Sequence, residues 1–213
     1  MLRVPAIDHA FLCTAPGAPA AQVLIDFGLA EGPPNRHPGQ GTANRRFFFR
    51  NFMLELIWVA DPEEAQSERT HPTRLWDRWS APVGSASPFG IILCPAAEGE
   101  PCPFPSWRYA PPTMPGLELD IACGTDLHEP MWCYMNSRRP PRPVAHAAGL
   151  TDLTALRLAG PPPARTSVTT AMARHNVISL TSRDEYVIEL EFDNQEQQRR
   201  TDFRPALPLI FVF

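Results

Sequence analysis

The stretches AIDHAFL, residues 6–12, and FMLELIWV, residues 52–59, each set one ionisable side chain in the middle of an apolar run. Their length and their branched and aromatic content predict strands. His9 and Glu55 are thus expected to be buried, and a buried polar group without a partner is costly. Such a residue needs a partner from elsewhere in the chain or a chemical task. Alternation along a strand fixes its neighbours. Ile7, His9 and Phe11 share one face of the first strand, and Met53, Glu55 and Ile57 share one face of the second. The other face of the second strand, with Leu54, Leu56 and Trp58, is wholly apolar and suits packing on a helix.

Outward from these two strands the order of elements becomes readable. Residues 18–32 carry Val23, Leu24 and Phe27 at helical spacing. The segment GPPNRHPGQG, residues 32–41, predicts a loop, and TANRRFFFRN, residues 42–51, another strand. Residues 61–86 are polar, with a short helix at PTRLWDRWS, and SPFGIILCPA at 87–96 completes a β-α-β-β-β order. Residues 97–150 form an irregular connector with strand-like pieces at SWRYAP, LELDIAC and EPMWCYM. The opening order then returns over 151–213: LTDLTALRLAG, a helix over 163–176, and strands at VISLTS, YVIELEFD and ALPLIFVF. The expectation is an α+β fold of two β-α-β-β-β modules, residues 1–96 with an insertion at 61–86 and residues 151–213, joined by 97–150. Laid on each other, the modules set Ala155 opposite His9 and Glu189 opposite Glu55. Each has a dry back and a front with ionisable groups, so front-to-front pairing would make a cleft.

Bulk composition removes several classes of function. A net charge of -4 over 213 residues, with a pI near 5.9, provides no basic field for nucleic acid or an acidic membrane. Every basic residue is arginine, which closes Schiff-base chemistry through lysine. The five cysteines are odd in number and show no C-x-x-C spacing, so neither a zinc knuckle nor a disulfide framework is indicated. The opening MLRVPAIDHAF is unlike a secretory signal, and no apolar run reaches membrane-spanning length. A cytoplasmic protein is the expectation. No G-x-S-x-G, Walker or Rossmann fingerprint is present.

IDHAFL on the first strand, HPGQGTANRRFFF at the loop-strand junction and LELI on the next strand together resemble the vicinal oxygen chelate superfamily, in particular its glyoxalase-like bacterial members. YVIELEFD and DFRPALPLIF resemble that superfamily's second module. The resemblance implies paired βαβββ modules forming a cupped, largely antiparallel mixed sheet of the glyoxalase and bleomycin-resistance type. It implies a divalent metal held by His9, Glu55 and Glu189, with Ala155 at the fourth position, where no ligand is possible. Glu55 and Glu189 would be the catalytic carboxylates, Glu189 moving a proton while the metal polarises a chelated substrate oxygen. The function so implied is a metal-dependent lyase, isomerase or dioxygenase acting on a small oxygenated metabolite. The alternative is a metal-free small-molecule binder or sequestering protein, as the missing ligand at Ala155 suggests. The expected partner is a small-molecule ligand. Two modules in one chain favour sheet pairing within the chain, with a homodimer as the other arrangement.

Further candidates each have a plainer counterpart. His37, Asn44 and Arg46 overhang the expected cleft mouth and would grip a ligand, or they cap a sheet end. Arg108, between Trp107 and Tyr109, is an anion clamp or a surface stack. Arg157, on the same presumed face as Glu189 and Glu191, binds ligand or pairs with those carboxylates. Adjacent His128 and Glu129 point to opposite faces of an extended chain and make a poor metal site.

Overall fold

The computed structural model describes residues 5–112, 114, 116–137, 144–161, 168, 172 and 178–213. It contains two mixed sheets, of eight and five strands, with few helices. Among the described residues no helix is long and apolar enough to cross a membrane.

The first sheet is built from β1 (Ala6–Cys13), β2 (Asn35–His37), β3 (Thr42–Phe48), β4 (Met53–Val59), β5 (Phe89–Cys94), β6 (Ser106–Tyr109), β7 (Leu119–Ala122) and β8 (Met131–Met135). Its spatial order is β2-β3-β4-β1-β5-β8-β7-β6. In one half, β2 and β3 are antiparallel, β3 and β4 antiparallel, and β4 runs parallel to β1. In the other half β6 and β7 are antiparallel, β7 and β8 antiparallel, and β8 runs parallel to β5. The halves thus share order and sense. They join at the antiparallel β1–β5 pair, where His9 faces Ile92 and Phe11 faces Gly90.

That join depends on a glycine. A β-carbon at Gly90 would lie 2.0 Å from the Phe11 ring, so only a bare backbone lets this ring lie across β5.

The helices in the connections around the first half are short. Helix α1 (Ala21–Asp26) is shorter than the sequence predicts. Between β4 and β5 lie α2 (Pro62–Ala65), capped by the Asp61 carboxylate, a 3-10 turn at His71–Thr73, and α3 (Leu75–Ser80). The loop expected at 32–41 contains β2, a three-residue edge strand.

The second sheet comprises β9 (Leu153–Gly160), β10 (Ile178–Ser182), β11 (Val187–Phe192), β12 (Arg200–Asp202) and β13 (Leu209–Val212), in the order β10-β9-β11-β13-β12. Its backbone sense departs from the expected repeat. β1 and β4, the strands of His9 and Glu55, are parallel, whereas β9 and β11, the strands of Ala155 and Glu189, are antiparallel. The unit that repeats the order of β1–β4 is β5–β8, within residues 89–135. Residues 97–150 therefore supply three strands of this sheet, and the strand pieces foreseen at SWRY, LDIA and MWCYM are β6, β7 and β8. The helix expected over 163–176 lies outside the described residues, apart from Val168 and Met172, both buried.

The sheets meet back to back, not front to front. One apolar cluster holds Ala10, Leu12, Leu54, Leu56, Ile91, Leu93, Trp132 and Tyr134 of the first sheet. The same cluster holds Leu156, Leu158, Ile188, Leu190, Phe192, Leu209 and Phe211 of the second. Burying these faces together removes both from water, the main favourable contribution to folding. Phe27, just after α1, places its ring edge-on to Phe203, Phe211 and Phe213. The Phe49 and Phe192 rings lie 4.6 Å apart across the join. Polar ties close its margin. Arg50 pairs with Asp152, and the Asn51 side-chain amide donates to the Leu153 carbonyl while its oxygen accepts from the Leu153 N–H. The dry faces foreseen at Leu54 and Leu56 thus cover a sheet, where a helix is expected from the sequence.

Candidate functional site

With its back covered, the first sheet turns its other face outward as a cup. Phe11, Ile57, Leu75, Ile92, Tyr109, Ile121, Cys133 and Met135 form a second apolar cluster on this face. They enclose a cavity of ≈ 120 Å³ that His9, His37, Asn44, Arg46 and Glu55 also line. Five residues singled out from sequence therefore share one hollow.

The polar groups are concentrated in the β1–β4 half. His9 and Glu55 are 8% and 6% exposed, and His9 Nε2 lies 3.8 Å from Glu55 Oε2. Parallel pairing of β1 with β4 sets Phe11 beside Glu55 and His9 beside Met53, so the two side chains are staggered by one pleat on the same face. Behind the imidazole, Asp8 Oδ1 lies 2.6 Å from Nδ1. Simple alternation would direct Asp8 to the opposite face. A register irregularity between Ile7 and His9 brings its carboxylate round to the ring. Glu55 Oε1 accepts a short hydrogen bond from the Asn44 amide, whose own oxygen is buried without a partner. His37 Nδ1 contacts the Thr42 hydroxyl at 2.8 Å, and the Tyr109 hydroxyl donates to Gln40 at 3.4 Å. Arg46 donates to the Pro33 carbonyl at the rim and lies over the Phe48 ring, 5.2 Å from its centre.

The β5–β8 half presents apolar counterparts. Across the join His9 faces Ile92, and Gly90, which faces Phe11, pairs in turn with Met131. Cys133 beside them is fully buried, which pushes its thiol up to about 12 and keeps it protonated at neutral pH. Burial likewise raises the Tyr109 phenol to about 12, so it stays a hydrogen-bond donor.

The trio His9, Glu55 and Glu189 is divided. Glu189 lies on the second sheet, on the face opposite Ile188 and Leu190, which pack into the core between the sheets. There it pairs directly across strands with Arg157, Nη1 to Oε1 3.1 Å, with Arg200 at 3.9 Å. Arg157 also binds Glu191 at 2.6 Å, and this contact lowers the Glu191 carboxyl against the opposing effect of its desolvation. The expected placement of Glu189 as metal ligand and catalytic carboxylate, and of Arg157 as ligand contact, is therefore corrected: these residues form an ion-pair ladder on an outer face. Arg108 is also separate from the cup, pairing with Glu118 at 3.1 Å and Asp120 at 3.6 Å on the edge strand β6. His128 bonds the Tyr186 hydroxyl at 2.8 Å.

A divalent metal at His9 and Glu55 fits the side chains poorly. Nδ1 is taken by Asp8 and Oε1 by Asn44. Two donors remain where a protein-held site uses three or four. Among the described residues no group of three His, Cys, Asp or Glu side chains is placed to hold a metal.

The cup does favour polar anchoring. Asp8 Oδ1 at His9 Nδ1 fixes the ring orientation and leaves Nε2 on the Glu55 side of the cavity. Sequence reasoning missed Asp8 and the apolar half, and gave Tyr109 only as an aromatic neighbour of Arg108. The succession of GIILC, SWRY, LDIA and MWCYM, one strand and then three, was the available signal for that half.

No family model matches the chain, and no curated protein matches it. Its architecture is similar to a solved Staphylococcus aureus structure described as a hypothetical protein. That structure shows 9% identity and a TM-score of 0.55, over 98% of this chain and 99% of the other. This likeness speaks to the fold alone.

Proposed function

We propose that the chain is a small-molecule-binding protein built on a glyoxalase-like, vicinal-oxygen-chelate type of scaffold, and that its ligand occupies the cup of the eight-stranded sheet. The repeated order of strands in β1–β4 and β5–β8 supports the scaffold reading, as two modules sharing one sheet. The observation that carries the functional reading is the buried Asp8–His9–Glu55 constellation in an otherwise apolar hollow. Carboxylate and imidazole groups this deeply buried cost stability unless a further interaction offsets the loss of water. The cup is two-sided, so its ligand is an organic molecule with an apolar body and one hydrogen-bonding end. The apolar body rests on Ile92, Ile121 and Met131. The polar end meets His9 Nε2 and Glu55.

The test is a thermal-shift screen of a metabolite library against the wild type and Ile92→Trp, which fills the cup. Ligands that raise the melting temperature of the wild type and lose that effect in Ile92→Trp support the reading. Ligands that act equally on both proteins, or a screen without any stabilising compound, count against it.

A second reading keeps the metal-dependent lyase, isomerase or dioxygenase activity. It is favoured by the convergence of His9 Nε2 and Glu55 Oε2 at 3.8 Å, two donors aimed at one point. It requires the ligand's own oxygens to complete the coordination shell. Metal analysis of protein purified without chelator, compared with Glu55→Ala, distinguishes the readings: stoichiometric metal lost in the variant favours the enzyme.

A further inference from the structure

Next to the cup lies a second cavity that the proposed function does not use. Thr73, Ile121 and Met131 line both hollows, so a single layer of side chains separates them. The second cavity, of ≈ 370 Å³, is walled by Arg74, Arg78, Trp107 and the loop carrying Gly124 and Thr125.

Arg78 is its unusual member. It projects from α3, is only 7% exposed, and donates through Nη1 to three backbone carbonyls, those of Ser87, Leu127 and Glu129. Its Nε is buried without a partner, and no bond from Nη2 is seen among the described residues. Carbonyl dipoles can hold a guanidinium in place, but they do not neutralise it, and a buried charge normally has a counter-charge. Among the described residues no ion pair joins Arg78 to a carboxylate. Burial lowers its tendency to hold a proton, and the nearby Arg74 cation lowers it further. Arg74 is half-exposed, with Asp77 at 3.5 Å. The carboxylate of Asp126, which also lines the cavity, is engaged by the His128 N–H at 2.8 Å.

We infer that this cavity is an oxyanion site, in which a carboxylate or phosphate group is held by Arg74 and Arg78 together. Planar guanidinium groups suit both anions, since each offers paired N–H donors to paired oxygens. Gly124 and Thr125, whose N–H groups have no backbone acceptor among the described residues, line the same cavity and would add donors of the right polarity. This site stands independently of what the cup binds, because none of its charged residues lines the cup.

The test is titration of 15N-labelled full-length protein with sodium phosphate and, separately, sodium acetate, against sodium chloride at matched ionic strength. Saturable shifts of the Gly124 and Thr125 amides with phosphate or acetate, but not chloride, are expected, and the tighter of the two anions identifies the source. Arg74→Gln, a half-exposed change that leaves the Arg78–carbonyl contacts intact, is expected to weaken that binding by about tenfold or more. Arg78→Gln is expected to abolish it if the variant folds. Shifts that do not saturate, that chloride reproduces, or that survive unchanged in Arg74→Gln would overturn the assignment.

Discussion

The two halves of the eight-stranded sheet have the same strand order and the same strand directions, yet opposite chemistry. Where β1 and β4 bring His9 and Glu55 into the cup, β5 and β8 bring Ile92, Met131 and Cys133. A shared backbone plan thus fixes the shape of the cup, while a few side chains decide which side is wet. The back of the sheet makes a different contrast. There both halves are apolar, because both must cover the second sheet, and alternation permits front and back to diverge residue by residue. Function is free to vary only on the face that nothing else covers.

The largest expected effects fall on the back. Ile91 is fully buried between the sheets, and Ile91→Ala is predicted to cost ~3–5 kcal/mol of unfolding free energy, measured by urea denaturation. Ile92→Ala, on the cup side of the same sheet, removes atoms beside an existing hollow and is predicted to cost less, ~2 kcal/mol. Equal losses from the two variants would show that the front is as tightly packed as the back, and would weaken the case for a cup.

A smaller effect concerns the join between the sheets. His146 accepts from the Ala30 N–H through Nδ1 and donates from Nε2 to the Phe48 carbonyl, an arrangement only the neutral ring can make. Its pKa is lowered, chiefly by burial, against the contribution of the bond to Phe48. The folded state therefore binds this proton less readily than the unfolded chain does. Stability from His146 is complete above the ordinary imidazole value near 6.5 and declines as pH falls through the lower folded value. Urea midpoints at pH 5 and pH 8 should differ more in the wild type than in His146→Gln. A variant that retains the full difference would remove His146 from the account.

The smallest effect belongs to the ladder on the outer face of the second sheet. Arg157 is partly exposed and pairs with Glu189 and Glu191, so Arg157→Ala should cost no more than ~1 kcal/mol and leave ligand binding unchanged. A loss of ligand affinity in this variant would return Glu189 and Arg157 to the site.

These contrasts also explain what the sequence could convey. Period-two alternation made His9 and Glu55 legible as inward residues of one surface, and it made the dry face at Leu54 and Leu56 equally plain. Glycine and polar residues at 37–46 marked the rim that His37, Asn44 and Arg46 occupy. Strand direction was not legible. YVIELEFD resembles FMLELIWV in composition and alternation, but one strand lies antiparallel to its first-strand neighbour and the other parallel, and nothing local encodes that difference. The true counterpart of the first four strands was obscured because β5 and β6 are linked through Pro-rich residues 95–105 without a helix, which removed the helical marker of a repeat. Asp8 escaped notice because a backbone irregularity overrides alternation at that one residue.

The account's central claim is that binding belongs to the cup at Glu55 and not to its sequence look-alike Glu189. It is tested by measuring the affinity of the best ligand from the screen, by calorimetry, for Glu55→Gln and Glu189→Gln beside the wild type. The prediction is a loss of about tenfold or more in Glu55→Gln, with Glu189→Gln indistinguishable from the wild type. Unchanged affinity in Glu55→Gln, or an equal loss in Glu189→Gln, would contradict it.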